Sequence, residues 1–391
     1  MTVIRSNLLP VLLAGAAVLL VVHSLGRFIY TPLLPWLVED GLLTLKQGAD
    51  IASWNYLGYL GGALLAIRWH RLSQIRRCLP VGLALHVLTT LLQTQTQDAD
   101  LLAVLRLLNG LSNGLVFVQA PALILEWLSR QGAAAASGLV YLGVGGGLLL
   151  SSAMVGLSAD WLEGPARWWP AALLSLPLAG WGWYRLSRLD TPDHPSGSTP
   201  AASSSRLLDR HSLPLFCAYA GAGMGYILPM TFLPMLARLQ LSADSPLVSG
   251  SWLVVALATL VAPWLWNRAG AHLGDKRALQ LNYLVQLGGV LAALLLPGAP
   301  GILLCGLLVG GTFLGTVLLT QRLGRALQPH QGPRLSAALI ALYSVAQLAA
   351  PWLTGQWLAQ GGSLHSAFWL GAAALCWGFA WMLAVPARQP A

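Results

Sequence analysis

The chain has 391 residues, 56% of them hydrophobic and 9% charged, where soluble domains carry about 25% charged residues. Too little polar surface remains to cover a water-exposed globule, which leaves an all-α polytopic membrane protein in contact with the lipid bilayer. The excess of 22 Lys+Arg over 13 Asp+Glu comes without basic patches interleaved with aromatics, so it excludes nucleic acid as a partner and points instead to membrane topology.

Apolar runs of about twenty residues, the length a helix needs to cross ~30 Å at ~1.5 Å per residue, predict spans at 8–37, 47–67, 78–95, 101–126, 133–157 and 165–186. A second set follows at 212–236, 247–267, 278–296, 301–322, 335–358 and 364–385. The first run follows Arg5 and could be read as a signal peptide, but so many spans follow it that a retained first helix is expected. The stretch "RLSRLDTPDHPSGSTPAASSSRLLDRHS" separates the sets and has the Ser, Pro and charge of a polar linker. The expected organisation is therefore an N-terminal six-helix bundle over 1–188, a cytoplasmic linker over 189–211 and a C-terminal six-helix bundle over 212–391.

With a cytoplasmic N-terminus, seventeen Lys and Arg fall on inner segments and three on outer loops, namely Lys46, Arg167 and Arg238. The acids Glu39, Asp40, Asp50, Asp98, Asp100, Asp160, Glu163 and Asp244 all fall outside. This asymmetry places both termini in the cytoplasm of a bacterial inner membrane. The halves echo each other: "GRFIYTPLLPWL" aligns with "GYILPMTFLPML", Ser53-Trp54 with Ser251-Trp252, and Gly110 and Gly114 with Gly311 and Gly315.

Twelve spans, a duplicated half and a polar central linker resemble the major facilitator superfamily of secondary transporters. "GRFIYTPLLPWL" followed by "SWNYLGYLGGALLA" at 53–66 resembles its YbfB-like (YbfB/YjiJ) branch, and "RLLNGLSNG" at 106–114 resembles the superfamily's fourth-span motif. The resemblance implies two pseudo-symmetric six-helix bundles alternating access to a central site lined by the first and fourth helices. It also implies a monomer carrying a small-molecule solute. The loop "GALLAIRWHRLSQIRR" keeps the basic cluster common there but lacks its acid, whereas "NRAGAHLGDKR" retains Asp275. The fifth span lacks the proline of the antiporter motif.

Charges at membrane depth cost at least ~2.5 kcal/mol on insertion scales and mark cavities or partners. Arg27 and Arg106 lie within spans, with Asn109 and Asn113 along the helix from Arg106. They predict a polar, positively charged site for an anionic or carboxylate-bearing solute, with Asn55, Tyr59 and Tyr226 as further lining. Capping of backbone carbonyls by Arg106, or snorkelling by Arg27, are the structural alternatives. Pro32, Pro35, Pro229 and Pro234 mark bends that suit gating. His23, one turn before Arg27, is the expected carrier of a coupled proton, with Glu126 second.

Catalysis and ATP use find no support. "GLSNG" at 110–114 fits G-x-S-x-G only in the middle of a helix, and neither Lys46 nor Lys276 sits in a phosphate-binding loop. Cys78, Cys217, Cys305 and Cys376 are scattered without metal-ligand spacing, and no cofactor is expected. The expected function is a proton-coupled secondary transporter, not an enzyme. A uniporter, or a non-transporting receptor or scaffold on the same fold, is the alternative.

Overall fold

The computed structural model of the protein describes residues 8–69, 71–189, 208–328 and 332–386. Most of the expected linker, 190–207, lies outside the described residues, as do Arg5, Arg206 and Arg388. In chain order the helices are α1 (Leu8–Glu39), α2 (Leu45–Arg68), α3 (Leu72–Leu92), α4 (Ala99–Arg130), α5 (Leu142–Ser158) and α6 (Trp169–Leu186). They continue as α7 (Leu213–Gln240), α8 (Pro246–Leu273), α9 (Asp275–Leu295), α10 (Ala299–Leu327), α11 (Gly332–Ala359) and α12 (Leu364–Ala384).

Among the described residues, ten helical stretches are long and apolar enough to cross a membrane. Helices α2 and α6 occupy the second and sixth predicted positions but fall outside that ten. Ser53, Asn55, Tyr56 and Tyr59 dilute the apolar character of α2, as Pro177 and Arg185 dilute that of α6. Helix ends extend past the predicted spans because polar caps add turns beyond the apolar core. Asp98 accepts from the N–H groups of Asp100 and Leu101 at 2.8 and 2.9 Å, and Thr44 and Gln47 form a capping box.

Glycine sets the closest helix contact. Gly58 and Gly62 of α2 press on the backbone of Leu107 and Leu111, while Gly110 and Gly114 of α4 press on Asn55 and Tyr59. Two small-x-x-x-small rows facing each other let the backbones touch. In the second half, Gly306 and Gly310 hold α10 against Ser251 and Val255 of α8. The expected counterparts Gly311 and Gly315 do other work. Gly311 lies at a break in α10, where Trp266 donates to its carbonyl at 2.6 Å, and Gly315 faces Trp266 and Asn282. The paired tryptophans diverge as well, since Trp54 is 46% exposed on the lipid side and Trp252 is fully buried.

Helices α1 and α7 both remain helical through their prolines. The last third of α1 runs unbroken from Tyr30 to Glu39 through Pro32 and Pro35, and α7 is continuous through Pro229 and Pro234. The irregularity in α1 lies upstream, in a π-helical stretch over Leu20–Phe28 where Ile29 N–H bonds the carbonyl of Ser24 at 2.8 Å. Proline withholds its N–H from carbonyls four or five residues earlier, so its effect appears before it in the chain.

One apolar core holds residues of both halves and another holds only first-half residues. The shared core includes the second part of α1, with Phe28, Leu33 and Leu37, packed with Tyr226, Met230 and Leu233 of α7. A side chain added where helices already touch should therefore cost stability. Gly114→Val should lower the detergent melting temperature by an overpacking cost of about 1–3 kcal/mol. Gly180→Ala, where nothing lies within 4 Å of the new atom, should melt within about 0.5 kcal/mol of wild type. Equal melting of the two variants would contradict the close approach of α2 and α4.

Candidate functional site

Helix α1 carries both His23 and Arg27 into the middle of the bundle. Arg27 is 3% exposed. Its Nη2 donates to Oε1 of Gln347 on α11 at 2.8 Å, a bond between the two halves. Gln347 in turn donates to the hydroxyl of Tyr226 on α7. Ring faces fill the remaining surroundings: Tyr59, Tyr56 and Phe28 lie with centroids 4.5, 4.6 and 5.1 Å from the guanidinium carbon. These aromatic faces offset part of the cost of burying the charge.

Arg27 Nε has no hydrogen-bond partner among the described residues. Nε and Nη2 together form the edge that Arg167 presents to Asp40, at 2.5 and 2.9 Å to its two oxygens, and that Arg130 presents to Glu126. At Arg27 this carboxylate-shaped edge meets one neutral amide oxygen. None of the ion pairs found among the described residues involves Arg27 or Arg106.

Arg106 is 1% exposed and has a different environment. It donates through Nη1 to the carbonyl of Gly26 and through Nη2 to that of Arg27 at 3.1 Å. Its guanidinium carbon lies 4.8 Å from the Tyr30 ring and 5.5 Å from the Trp168 ring. In π register the Arg27 carbonyl would pair with residue 32, which is proline. Arg106 therefore supplies a donor that α1 lacks, matching the carbonyl-capping alternative.

The other predicted residues divide into two groups. Tyr59 and Tyr226 join Arg27, directly or through Gln347. His23 approaches Asn113, with Nδ1 3.3 Å from Oδ1, and stacks on Phe117 at 4.1 Å beside Phe28 and Tyr59. Asn55 and Asn109 instead tie helices together. Asn55 donates to the Arg106 carbonyl at 2.8 Å, and Asn109 donates to Thr89 and Thr90 of α3, each at 3.1 Å. Glu126 is remote from all of them, paired with Arg130 at 2.9 Å on the surface.

The sequence reading left out Gln347, Tyr343, Phe313 and Phe117. Gln347 was findable, because an amide in the middle of the eleventh span carries the same signal that singled out Asn55. The aromatics carried none, since a ring in an apolar span looks like packing until its neighbours are known.

Beyond Arg27, toward the end that bears Glu39 and Asp50, the halves are joined by polar bonds. Thr31 donates to the carbonyl of Met230 at 2.7 Å, an acceptor left free because Pro234 has no N–H. The hydroxyls of Tyr56 and Thr231 meet at 2.8 Å, and Trp252 donates to Ser151 at 3.1 Å. Glu39 pairs with Arg238, whose guanidinium covers Trp36. Pro32, Pro35 and Pro234 line the small space left at this seam, about 10 Å³, room for about one water. Beside it, burial alone would raise the Asp40 carboxyl, but the bonds from Arg167 and from Gly164 N–H outweigh that and hold it below the usual carboxylate range.

The family described as the uncharacterised MFS-type transporter YbfB matches residues 19–383. No curated protein matches the sequence. The fold is similar to a mutant form of the nucleoside transporter NupG, at TM-score 0.70 and 15% identity over 96% of this chain and 100% of that one. It is also similar to the xylose transporter XylE from E. coli in an inward open conformation, at TM-score 0.74 and 13% identity over 99% and 96% of the two chains.

Because Arg106 bonds the backbone of α1, its loss should first be seen as lost stability. Arg106→Gln should destabilise the purified protein by about 1–3 kcal/mol for each carbonyl left without a donor, read as a lower melting temperature. Arg106→Lys should recover only part, since an ammonium cannot fork two carbonyls in the plane of a guanidinium. A glutamine variant that melts as wild type yet fails to transport would instead place Arg106 against the solute.

Proposed function

Since the chain belongs to the YbfB-type family of major facilitator transporters, we propose that this membrane transporter carries a small carboxylate-bearing solute, with Arg27 as the binding charge. The observation that carries this reading is the Nε–Nη2 edge of Arg27, buried, without an acid, and met by one amide oxygen of Gln347. A buried guanidinium without a counter-ion is costly, and a solute anion relieves that cost while being selected by it. Arg106 acts as a positioning residue that fixes the π-helical segment presenting Arg27.

Residues 1–188 and 212–391 form the two moving bundles, joined by a linker over 189–211, with both termini in the cytoplasm of a bacterial inner membrane. The acidic end then faces outside, as the charge asymmetry of the loops supports, and its cross-bundle bonds are the outer gate. Each bond nets about 0.5–1.5 kcal/mol. Four of them close the gate by a few kcal/mol, within reach of the differential binding energy of a solute. When the solute takes the Arg27 edge, Gln347 is released and one tie between the bundles is lost.

His23 is the proposed proton carrier. It stands one turn from Arg27 on the same helix, in a ring-lined site beside the side-chain oxygen of Asn113. Its protonation state would therefore be felt by the charge that holds the solute.

Two measurements test this reading. In melting assays on the purified protein, at least one of acetate, lactate, succinate, benzoate and cyclohexanecarboxylate should stabilise it more than the matching amide, and Arg27→Gln should abolish that difference. Amides acting as well as acids, no stabilisation by any acid, or an effect surviving Arg27→Gln would each contradict it. In proteoliposomes, His23→Gln should retain exchange of the stabilising acid but lose accumulation driven by a pH gradient. Gradient-driven accumulation by that variant would remove His23 from coupling.

A further inference from the structure

The rings around Arg27 are arranged as well as abundant. On the second half, Phe313, Tyr226, Tyr343 and Tyr219 form a continuous stack with interplanar angles of 6°, 11° and 15° and centroid separations of 5.6, 5.5 and 4.2 Å. The first half faces it with Phe28, Tyr56 and Tyr59 around the guanidinium, and Phe28 reaches Phe313 at 6.5 Å. Gln347 bridges the two sets through Arg27 and Tyr226.

The chain also sorts its aromatics by kind. Of nine tyrosines, seven are buried, namely Tyr30, Tyr56, Tyr59, Tyr219, Tyr226, Tyr283 and Tyr343, whereas Trp54, Trp264, Trp352 and Trp377 are among the exposed tryptophans. Flat, rigid faces, most of them tyrosine rings, therefore meet at the centre of the bundle.

Resting on the carboxylate reading above, we infer that the solute is a carboxylate borne directly on a flat aromatic or conjugated ring. A carboxylate forked by the Arg27 edge lies in the plane of the guanidinium. Conjugation keeps an attached ring in that same plane, so the solute offers flat faces to the aromatic side chains gathered around Arg27. A saturated ring of equal size is thicker, presents hydrogens to both walls and loses the stacking contribution.

The test is a binding comparison on the intact purified protein in detergent. Benzoate, 2-naphthoate and indole-3-carboxylate are set against cyclohexanecarboxylate, decalin-2-carboxylate and the three aromatic amides. The tightest aromatic acid should bind about tenfold or more tightly than its saturated counterpart, and its amide should not bind measurably. Tyr226→Leu should weaken that acid about tenfold, while Tyr226→Phe, which keeps the ring, should stay within about threefold of wild type. Saturated acids binding as well as aromatic ones would overturn the ring and leave the carboxylate reading standing. Amides binding as well as acids would overturn the carboxylate reading itself. Absence of binding by all three aromatic acids, or full affinity in Tyr226→Leu, would overturn the inference.

Discussion

Arg27 sits where the two halves of the bundle meet, carrying a charge that no acid among the described residues pairs with. Its Nη2 donates across the interface to a neutral amide, and three aromatic rings surround it. Much of the first helix is organised around making that placement possible. The π-helical stretch Leu20–Phe28 sets the presentation of His23 and Arg27, and Arg106 reaches across from α4 to hold the carbonyls of Gly26 and Arg27. Close approach is required as well: a side chain at Gly26 would occupy the space of the His86 ring, and Gly110 and Gly114 let α4 lie against α2.

The prolines serve the same arrangement from the other side of Arg27. Each removes a backbone donor and leaves a carbonyl to be satisfied elsewhere, as a bilayer demands of any backbone group. In α1 the donor is Arg106, within one half. In α7 the Met230 carbonyl freed by Pro234 is taken by Thr31, across the interface. One chemical defect, repeated in the two halves, thus yields a fixed joint in one place and a separable one in the other. That asymmetry suits a transporter, in which some contacts must persist through the cycle while others exchange.

The sequence made the fold legible because its strongest signals are those a bilayer imposes: long apolar runs, a polar interruption between two sets, and charges sorted by loop. The YbfB-type family assignment followed from "GRFIYTPLLPWL" and its neighbourhood and agrees with the match over 19–383. The site was legible in part. Arg27, His23 and Tyr59 stood out as polar or aromatic groups on helices expected to line the centre, and they do lie together. Asn55 and Asn109 carried the same signal, and the structure has them bonded to neighbouring helices, a use that sequence spacing cannot separate from solute binding. The roles of the two arginines were separable only in three dimensions, where one meets backbone carbonyls and the other a side chain of the opposite half. The proline effect was expected at the proline, whereas hydrogen-bond geometry places it a turn earlier.

In the proposed cycle the Nε–Nη2 edge of Arg27 receives a solute carboxylate in place of Gln347. A structure determined with a bound aromatic carboxylate is the decisive measurement. The two carboxylate oxygens should lie on Nε and Nη2 of Arg27, with Gln347 turned away from the guanidinium. A carboxylate bound elsewhere, with the Arg27–Gln347 bond intact, would contradict it.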